Sequence, residues 1–546
     1  MGGCIENTSS HADAADNTVT ITDGDIGGSI YGGYTSGTGK TTGNTVNFYS
    51  GAVTGALYGG YAANGEASGN IVNLGAVNTN AEIYGGSGQA TNGNIVNLFG
   101  TKIANMVTGG TAANSKGNVL AIRTTGTEIR DFTGFQNLRF YLPETANSST
   151  ATMLKLGIQN KSIKGLGIGL DISGTAKRLQ KNDVFSLIKV DVGGTLTTDE
   201  KIESEVMGTQ GVSLNYKFRV QKKGEDELIA AVESVEMNSA TKSLAETRAA
   251  ATDVLGGSTN LLADAGISSA VKEAASANVQ TGAYTSWASQ GGSSMRIHSG
   301  SYVDTHGYTL NVGFARKQEG TDGALTYGPF VEYGRASYDS YLEDAAGTYG
   351  NGKIGYVGAG FLARQDWKSG FYLEGSVRGG RIKSDYTGVI SEKSTSYDTS
   401  NPYYALHLGI GKTTNLKAGN SIETYLKYFY SHQDSTSAKL STGEDYEFGA
   451  VNSHRLRLGA RYTHDMGAEG RFYAGLAWEY EFEGEARATY QGMSTPSPSL
   501  KGSSAMLEIG CRFAPKDSRV SYDVNISGWQ GKRKGFTGSI GIHWTF

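Results

Sequence analysis

Cysteine and proline are both scarce in this chain. Only two cysteines, Cys4 and Cys511, occur in 546 residues, and they lie near opposite ends. Two cysteines so far apart do not make the disulfide framework that small secreted domains use in place of a large core. Only 6 residues are proline, so the chain is not a disordered linker rich in proline and glycine.

The sequence also lacks a long hydrophobic run and an excess of charge of one sign. A membrane helix needs about 20 consecutive apolar residues, and no segment supplies them. With 48 basic against 52 acidic residues, the charge gives no basis for binding nucleic acid. Met1-Gly2-Gly3-Cys4 has no apolar segment before it, and no secretory signal peptide is visible. We therefore expect a fragment or a mature form that begins inside a repeat array.

Glycine and tyrosine are abundant, with 79 and 31 residues. Glycine suits tight turns between strands, and tyrosine suits the aromatic girdles of membrane barrels. A chain of this length is expected to hold more than one domain.

The N-terminal part of the sequence repeats. Gly-Gly turns follow Tyr31, Tyr58 and Tyr84, and apolar residues alternate after each Gly-Asn pair, as at Val72 and Leu74. A fixed repeat of strand-sized segments with glycine turns predicts a β-solenoid (β-helix), whose stacked coils bury a shared apolar ladder. The Gly-Asn pairs are Gly43-Asn44, Gly69-Asn70, Gly93-Asn94 and Gly117-Asn118.

Composition divides the first half of the chain. We assign residues 1–122 to regular solenoid repeats and residues 123–236 to an irregular β region that closes them. Alanine and leucine then dominate residues 238–255, which predicts a helix that Ser239 caps and Gly256-Gly257 ends. A second short helix is predicted over 260–277, so we assign residues 237–283 to a helical linker that lies partly inside a pore.

From Tyr284 onward, polar turns separate twelve segments with strand alternation. Leu476 and Trp478 share one face of such a segment, and Glu479 and Glu481 share the other. Apolar residues on one face and charged residues on the other are typical of a membrane barrel. Residues 284–546 therefore predict a 12-stranded antiparallel transmembrane β-barrel. The predicted strands centre on Met295, Asn311, Val331, Val357, Gly375, Leu408, Leu426, Leu458, Leu476, Leu507, Val524 and Ile542.

The last segment ends the chain on an aromatic residue. Ile540, Ile542, Trp544 and Phe546 fall on one face of an extended strand. An unpaired strand of this kind invites mispairing, and a closed barrel removes the edge. We therefore expect this strand to pair with the first barrel strand, near Met295.

No catalytic, cofactor-binding or metal site is predicted. Residues 33–41 nearly match a phosphate-binding loop, but they lie in a repeat turn with no helix behind it. The eight histidines are scattered. Glu479, Glu481 and Glu483 are interpreted as a solvated lumen face, so Leu476→Arg is expected to impair folding far more than Glu479→Arg.

A β-solenoid, a helical linker and a twelve-stranded barrel in this order resemble the type Va autotransporter family. The linker 238–248 resembles the segment before the barrel, and Ile540, Ile542, Trp544 and Phe546 resemble the signal read by the outer-membrane barrel assembly machinery. The resemblance implies a bacterial outer-membrane barrel, plugged by a helix, that anchors a β-helical passenger and assists its translocation to the cell surface.

Three functions remain open for the chain. The first is an adhesin or structural stalk that binds a ligand on a host or neighbouring cell, with membrane lipid and the assembly machinery as further partners. The second is an enzyme, such as a polysaccharide lyase or esterase, which the lack of arginine in residues 1–122 disfavours. The third is a plain outer-membrane pore, which the repeats and the linker disfavour. No cofactor is expected.

Overall fold

A computed structural model describes residues 1–143, 151–199, 204–276, 283–343, 345, 347–467, 470–513 and 520–544. The chain divides into two compact units, Met1–Met237 and Asn238–Phe546. The first unit is a stack of parallel strands, and the second is a closed antiparallel barrel. The predicted fold class is confirmed.

Two long parallel ladders run through the first unit, because each coil contributes one strand to each ladder. Short parallel pairs at the corners complete the coils. The first ladder consists of Thr18–Ile21, Thr45–Phe48, Ile71–Leu74, Ile95–Leu98, Val119–Ile122, Asn137–Leu142, Gly167–Ile172 and Ser204–Gln210. The second consists of Gly3–Ile5, Ile30–Thr35, Leu57–Ala62, Ile83–Ser87, Lys102–Gly110, Thr127–Thr133, Leu154–Leu156 and Val184–Lys189.

The Gly-Asn pairs form a buried hydrogen-bonded column. Each glycine adopts a positive φ, from 64° to 71° across the four pairs, a conformation that glycine enters without strain. Each asparagine then points into the coil. Asn70 Oδ1, for example, accepts from the backbone N and Nδ2 of Asn44 at 3.1 and 3.0 Å, and Asn70 Nδ2 donates to Asn94 Oδ1 at 3.1 Å. The column pairs buried polar backbone that a turn between coils would otherwise leave unsatisfied.

Side chains also stack along the outside of the coils. The rings of Tyr31, Tyr58 and Tyr84 lie 5.0 and 4.7 Å apart, centre to centre. A second asparagine column runs beside the first ladder, where Asn73 Nδ2 donates to Asn47 Oδ1 at 2.7 Å. The repeat therefore stacks polar and aromatic groups as well as the apolar core.

The last strands of the first unit change direction. Glu227–Met237 pairs antiparallel with Val184–Lys189 and with Leu214–Lys223. Leu214–Lys223 in turn pairs antiparallel with Ser204–Gln210. These strands cover the final coil, and parallel stacking extends well beyond residue 122.

Twelve antiparallel strands close the barrel of the second unit. The last strand pairs with the first, with Gly535 opposite Met295, which confirms the predicted closure. We name the rim at turns 299–301 and 391–392 the upper rim, and the rim at turns 368–370 and 416–420 the lower rim. Barrel strands 1 to 12 are Thr285–His298, Tyr302–Glu319, Gly323–Leu342, Thr348–Trp367, Phe371–Ile390, Lys393–Asn415, Ser421–Gln433, Val451–Asp465, Arg471–Glu481, Gly502–Phe513, Val520–Gly531 and Arg533–Trp544.

A small antiparallel sheet lies beyond the upper rim. Its four strands are Thr436–Lys439, Asp445–Phe448, Ala488–Tyr490 and Met493–Ser494. Phe448 stacks on Tyr397 of barrel strand 6, with ring centres 5.0 Å apart. Strands 5 and 6 and this sheet therefore share one aromatic core at the upper rim.

The outer face of the barrel carries an apolar band. Leu476 is 66% exposed, while Glu479 on the opposite face is buried, as the alternation predicts. Exposed aromatic residues border the band towards both rims, which is the girdle arrangement of membrane barrels. The exposed aliphatic residues are Val312, Val331, Val357, Leu373, Val377, Leu408, Ile410, Leu426, Leu458, Leu476, Leu507, Ile509, Ile526 and Ile540. The exposed aromatic residues are Tyr308, Tyr333, Tyr404, Trp478, Phe482 and Phe536 towards the upper rim, and Phe314, Phe361, Trp367, Phe371, Tyr462, Phe472 and Phe513 towards the lower rim.

The linker forms one interrupted helix. Helix α1 (Lys242–Leu261) follows a 3-10 turn at Ser239–Thr241 and runs through a π-helical turn, Leu262–Gly266, into α2 (Ile267–Ser276). No helix in the described ranges is both long and apolar enough to cross a membrane.

Two predictions about the ends of this helix are wrong. The cap is Asn238, whose side chain accepts from the backbone N of Ala240, and not Ser239. The helix also continues through Gly256 and Gly257 instead of ending there. The surroundings of Gly256, described below, explain why glycine does not terminate the helix at this point.

Candidate functional site

Helix α1 is buried on every side by the barrel wall. Almost all of its residues are inaccessible to solvent, including the charged residues Lys242, Glu246, Arg248 and Asp253. Ala249, Ala250 and Ala251 are fully buried, and their small side chains give a narrow helix that fits inside a ring of strands. On one side, Leu255 packs in an apolar cluster with Tyr356 and other residues of strands 2 to 6.

The upper end of α1 is held by backbone and side-chain groups of the rim. Arg248 Nη2 donates to the carbonyl oxygens of Asp434 and Gly449, at 2.5 and 3.0 Å. Tyr397 donates its hydroxyl proton to the carbonyl of Leu244 at 2.5 Å, and Ser299 donates to the Glu246 carboxylate at 2.7 Å. The helix is therefore attached to several segments of the rim at once.

A buried ion pair anchors the middle of the helix to strands 3 and 5. Glu332 and Arg378 form a salt bridge, and both side chains are buried. Ser258 donates to Glu332 at 2.8 Å and accepts from Arg378 Nη1 at 2.7 Å. Arg378 Nη2 also donates to the carbonyl of Leu255 at 2.9 Å. Because both charges are paired with each other and with the helix, each compensates for the loss of water around the other.

Three arginines surround one carboxylate on the opposite wall. Glu479 lies 3.2 Å from Arg455, 2.8 Å from Arg457 and 3.4 Å from Arg533. Arg533 also pairs with Asp253 of the helix at 2.9 Å. We call these five residues the arginine cluster. The interpretation of Glu479 as a solvated lumen residue is wrong, because the helix excludes water from this part of the lumen.

Gly256 lets this cluster approach the helix. A Cβ atom at Gly256 would lie 2.9 Å from Arg533 Nη2 and 3.4 Å from Arg455 Nη2. Arg455 Nη2 donates to the Gly256 carbonyl at 3.2 Å. A larger residue would force the guanidinium groups away, so tertiary contacts keep this glycine helical.

The π-helical turn presents Asp264 to the same wall. Its carboxylate lies 3.0 Å from Lys427 and 2.9 Å from Arg457, and Lys427 donates to the carbonyl of Ala263 at 2.8 Å. Such turns displace the helix backbone from its regular path, and here the displacement carries a carboxylate to a cationic pair.

Below this point the lumen is only partly filled. Helix α2 packs with Ile267 and Ala270 against Trp287 and Phe330 of the wall. A cavity of about 370 Å³ remains on the other side, with Arg364, Glu423, Tyr425, Arg461 and Asp523 in its lining. The helix therefore closes the upper half of the lumen and leaves a polar space towards the lower rim.

The groups around the helix are suited to holding it rather than to catalysis. In the described ranges, no three His, Cys, Asp or Glu side chains lie close enough to hold a metal ion. Glu332, Glu479, Asp253 and Asp264 are each paired with arginine or lysine. This pairing stabilises their charged forms and ties up the proton acceptors that acid–base chemistry needs.

The structure also shows where the three glutamates of the predicted lumen face and the terminal strand lie. Glu479 belongs to the arginine cluster, Glu481 accepts from the backbone N of His454 at 2.8 Å, and Glu483 lies beside His454 at the rim. On strand 12, Ile540 is exposed on the apolar band. The backbones of Ile542 and Trp544 pair with Tyr522 and Val520, and Phe546 lies outside the described residues.

Sequence patterns indicate which side chains face the lumen but not how they pair. Arg455, Arg457 and Glu479 fall on the inner face by alternation alone. The contacts of Asp253 with Arg533 and of Ser258 with Arg378 join residues far apart in the chain. No local signal in the sequence identifies these partners.

These features define a membrane β-barrel of the outer-membrane type whose lumen is closed by the helix that leads into it. Residues 283–527 match the family model of the autotransporter β-domain. The C-terminal half of the chain is therefore an autotransporter β-domain, and a β-helical passenger region precedes it. The barrel lies in the bacterial outer membrane, serves in translocation, and carries the N-terminal region on the cell surface.

Solved structures similar to the chain include three autotransporter domains. The β-domain of BrkA from Bordetella is 18% identical, with a TM-score of 0.40, and the match covers 48% of this chain and 100% of that one. The translocator domain of NalP from Neisseria meningitidis is 16% identical, with a TM-score of 0.42 and coverage of 56% and 99%. The transport unit of AIDA-I from Escherichia coli is 12% identical, with a TM-score of 0.42 and coverage of 57% and 100%.

The assignment of the β-domain follows from the family match over residues 283–527. No curated protein matches the chain.

Proposed function

We propose that the passenger is an adhesin or structural stalk that binds a ligand on a host or neighbouring cell. The observation that supports this most is the regular side-chain stacking along the outside of the coils. Tyr31, Tyr58 and Tyr84 form one half-exposed column. Asn47, Asn73 and Asn97 form a second column, in which Asn97 is buried. A long, repetitive, mostly uncharged surface is suited to contact over a large area.

We also propose two further partners of the chain, and we exclude nucleic acid. The apolar band of the barrel contacts outer-membrane lipid, and Ile540, Ile542, Trp544 and Phe546 bind the barrel assembly machinery during insertion. Nucleic acid is not a partner, because the charge of the chain is nearly balanced. No cofactor is required by any of these roles.

An adhesion assay on cells that display the full chain tests the passenger. Val72 is fully buried in a coil, so Val72→Asp places an unpaired charge there at a cost of several kcal/mol. We expect this variant to insert its barrel normally but to lose attachment to host cells or aggregation between bacteria. Asn64→Ala, at an exposed position, is the matched control and should adhere as the original chain does.

The alternative is an enzymatic passenger of the lyase or esterase type. Cells that display the chain would then turn over polysaccharide or ester substrates without adhering, and Val72→Asp would abolish this turnover. That result would overturn the adhesin proposal. A plain pore is disfavoured because α1 fills the upper half of the lumen. Unhindered ion conductance by the full chain would favour the pore.

A further inference from the structure

Four basic side chains cluster on the outer face of the barrel, just above the apolar band. They are Arg335 on strand 3, Lys353 on strand 4, and Arg381 and Lys383 on strand 5, and all four are exposed. We call them the basic patch. Strand register places them together, because Gly355 lies opposite both Arg335 and Lys383, and Val357 lies opposite Arg381.

The centre of the patch is hollow. Gly355 has no side chain, and a Cβ atom built there would meet only one atom within 4 Å, a backbone oxygen at 3.9 Å. Arg335 and Lys383 flank this glycine in the register, and Lys353 is two residues away along the same strand. Three strands thus present cations around a space where an anionic group fits.

The basic patch is not neutralised by the protein. Among the residues that the structure describes, none of the four side chains forms an ion pair, and Arg381 Nε only donates to the Ser400 hydroxyl at 3.0 Å. Asp385, two residues after Lys383 on strand 5, accepts instead from the backbone N of Lys353 at 3.0 Å. By contrast, Arg296 elsewhere on this rim is paired with Asp304 through two hydrogen bonds of 2.7 and 2.6 Å.

The position of the basic patch along the barrel axis indicates which kind of molecule binds there. Along strand 3, Val331 and Tyr333 are exposed on the same face directly before Arg335, so aliphatic, aromatic and cationic groups follow one another towards the upper rim. Helix α1 begins at this rim, where Asn238 Nδ2 donates to Ser391 at 2.9 Å. Since the passenger is displayed on the cell surface, this rim faces outward, and the patch lies at the headgroup level of the outer leaflet.

We propose that the basic patch binds the phosphate groups of a phosphorylated glycolipid of the outer leaflet, whose acyl chains lie against Val331, Val357 and Val377 below. Arginine and lysine bind phosphate oxygens through charge-assisted hydrogen bonds, and basic clusters beside a membrane-spanning surface favour anionic headgroups. The proposal makes the lipid partner more specific, and it does not depend on what the passenger binds.

Binding of purified lipid A by the full chain in neutral detergent tests this site, with native mass spectrometry as the readout. Bisphosphorylated lipid A is expected to bind more than about tenfold more tightly than the same lipid without phosphates. Arg335→Gln combined with Lys383→Gln should weaken binding of the phosphorylated form by about tenfold or more, since each basic side chain near an anionic leaflet contributes roughly a factor of five.

The matched control removes the same charge from another wall of the same rim. Arg296→Gln combined with Lys534→Gln, both on exposed positions of strands 1 and 12, should leave the affinity within about twofold. Heat-dependent migration in detergent gels reports that every variant is folded. Arg335→Lys with Lys383→Arg should retain binding, because it keeps both charges.

Three results would overturn the proposal. Equal affinity for lipids with and without phosphates would remove the role of the anion. Unchanged binding in the Arg335→Gln, Lys383→Gln variant would place the lipid elsewhere. Complete displacement of the lipid by millimolar inorganic phosphate would assign the patch to free anions instead of a membrane glycolipid.

Discussion

Leu476 and Glu479 lie on the same strand but meet opposite environments. Leu476 is exposed on the apolar band, so Leu476→Arg places a charge towards lipid. The cost of arginine near the bilayer midplane is about 2–4 kcal/mol, and we expect refolding into lipid vesicles to fail or slow strongly. Gln530→Arg, at an exposed position near the upper rim, is the control and should refold normally. Similar losses in both variants would contradict the assigned band.

Glu479 contacts all three arginines of its cluster, so charge changes there are not mild, contrary to the expectation from sequence. Glu479→Gln leaves Arg455 buried without its ion-pair partner, while Arg457 and Arg533 keep Asp264 and Asp253. Breaking a buried pair in this way costs about 3–5 kcal/mol. We expect a lower unfolding temperature of the barrel in detergent. Glu483→Gln is the comparison, because Glu483 is more than half exposed; an equal shift there would show that the cluster is not special.

Asn70 tests the buried asparagine column of the solenoid. Asn70→Ala removes the acceptor for two donors of Asn44, and a buried unsatisfied donor costs about 1–3 kcal/mol. We expect faster proteolysis of residues 1–237 in the full chain, with no change in Asn64→Ala. Asn73→Asp is also expected to destabilise, because a carboxylate would replace the donor that Asn73 offers to Asn47. An Asn70→Ala variant as resistant as the original would show that the column is dispensable.

At the scale of elements, removal of the linker helix is expected to open the lumen without disturbing the barrel wall. The wall is a complete ring of twelve hydrogen-bonded strands, and α1 fills the upper half of its lumen. Deleting residues 238–263 is therefore expected to leave a folded barrel with higher ion conductance in planar bilayers. Deleting residues 1–237 keeps the helix, so its conductance should stay low. Equal conductance in the two deletions would place the barrier to ions outside the helix.

At the scale of the whole molecule, the terminal strand connects folding to insertion in the cell. Strand 12 closes the barrel against strand 1, and the deletion of Phe546 removes only the last side chain, at a cost of about 1.5–3 kcal/mol by area. Under the proposal that the assembly machinery binds the aromatic end, we expect refolding into detergent to be largely retained while insertion into the outer membrane of cells falls sharply. Normal surface display of the shortened chain would contradict this role.

Local patterns in the sequence determined the architecture of both halves. Alternation of apolar and polar residues marked all twelve barrel strands and their lipid-facing side, because side chains on neighbouring positions of a strand point to opposite faces. The Gly-Asn repeat marked the coils, because each glycine adopts a positive φ at a turn and each asparagine bonds to its equivalent in the next coil. The order of solenoid, helix and barrel then indicated the family.

Only the tertiary structure decided how polar groups are paired. The continuation of α1 through Gly256 depends on Arg455 and Arg533, which approach from distant strands. The environment of Glu479 depends on the helix that excludes water, and the basic patch exists because register aligns three strands around Gly355. Propensity and alternation act within a few residues along the chain, whereas these pairings are fixed by the closure of the barrel around its helix.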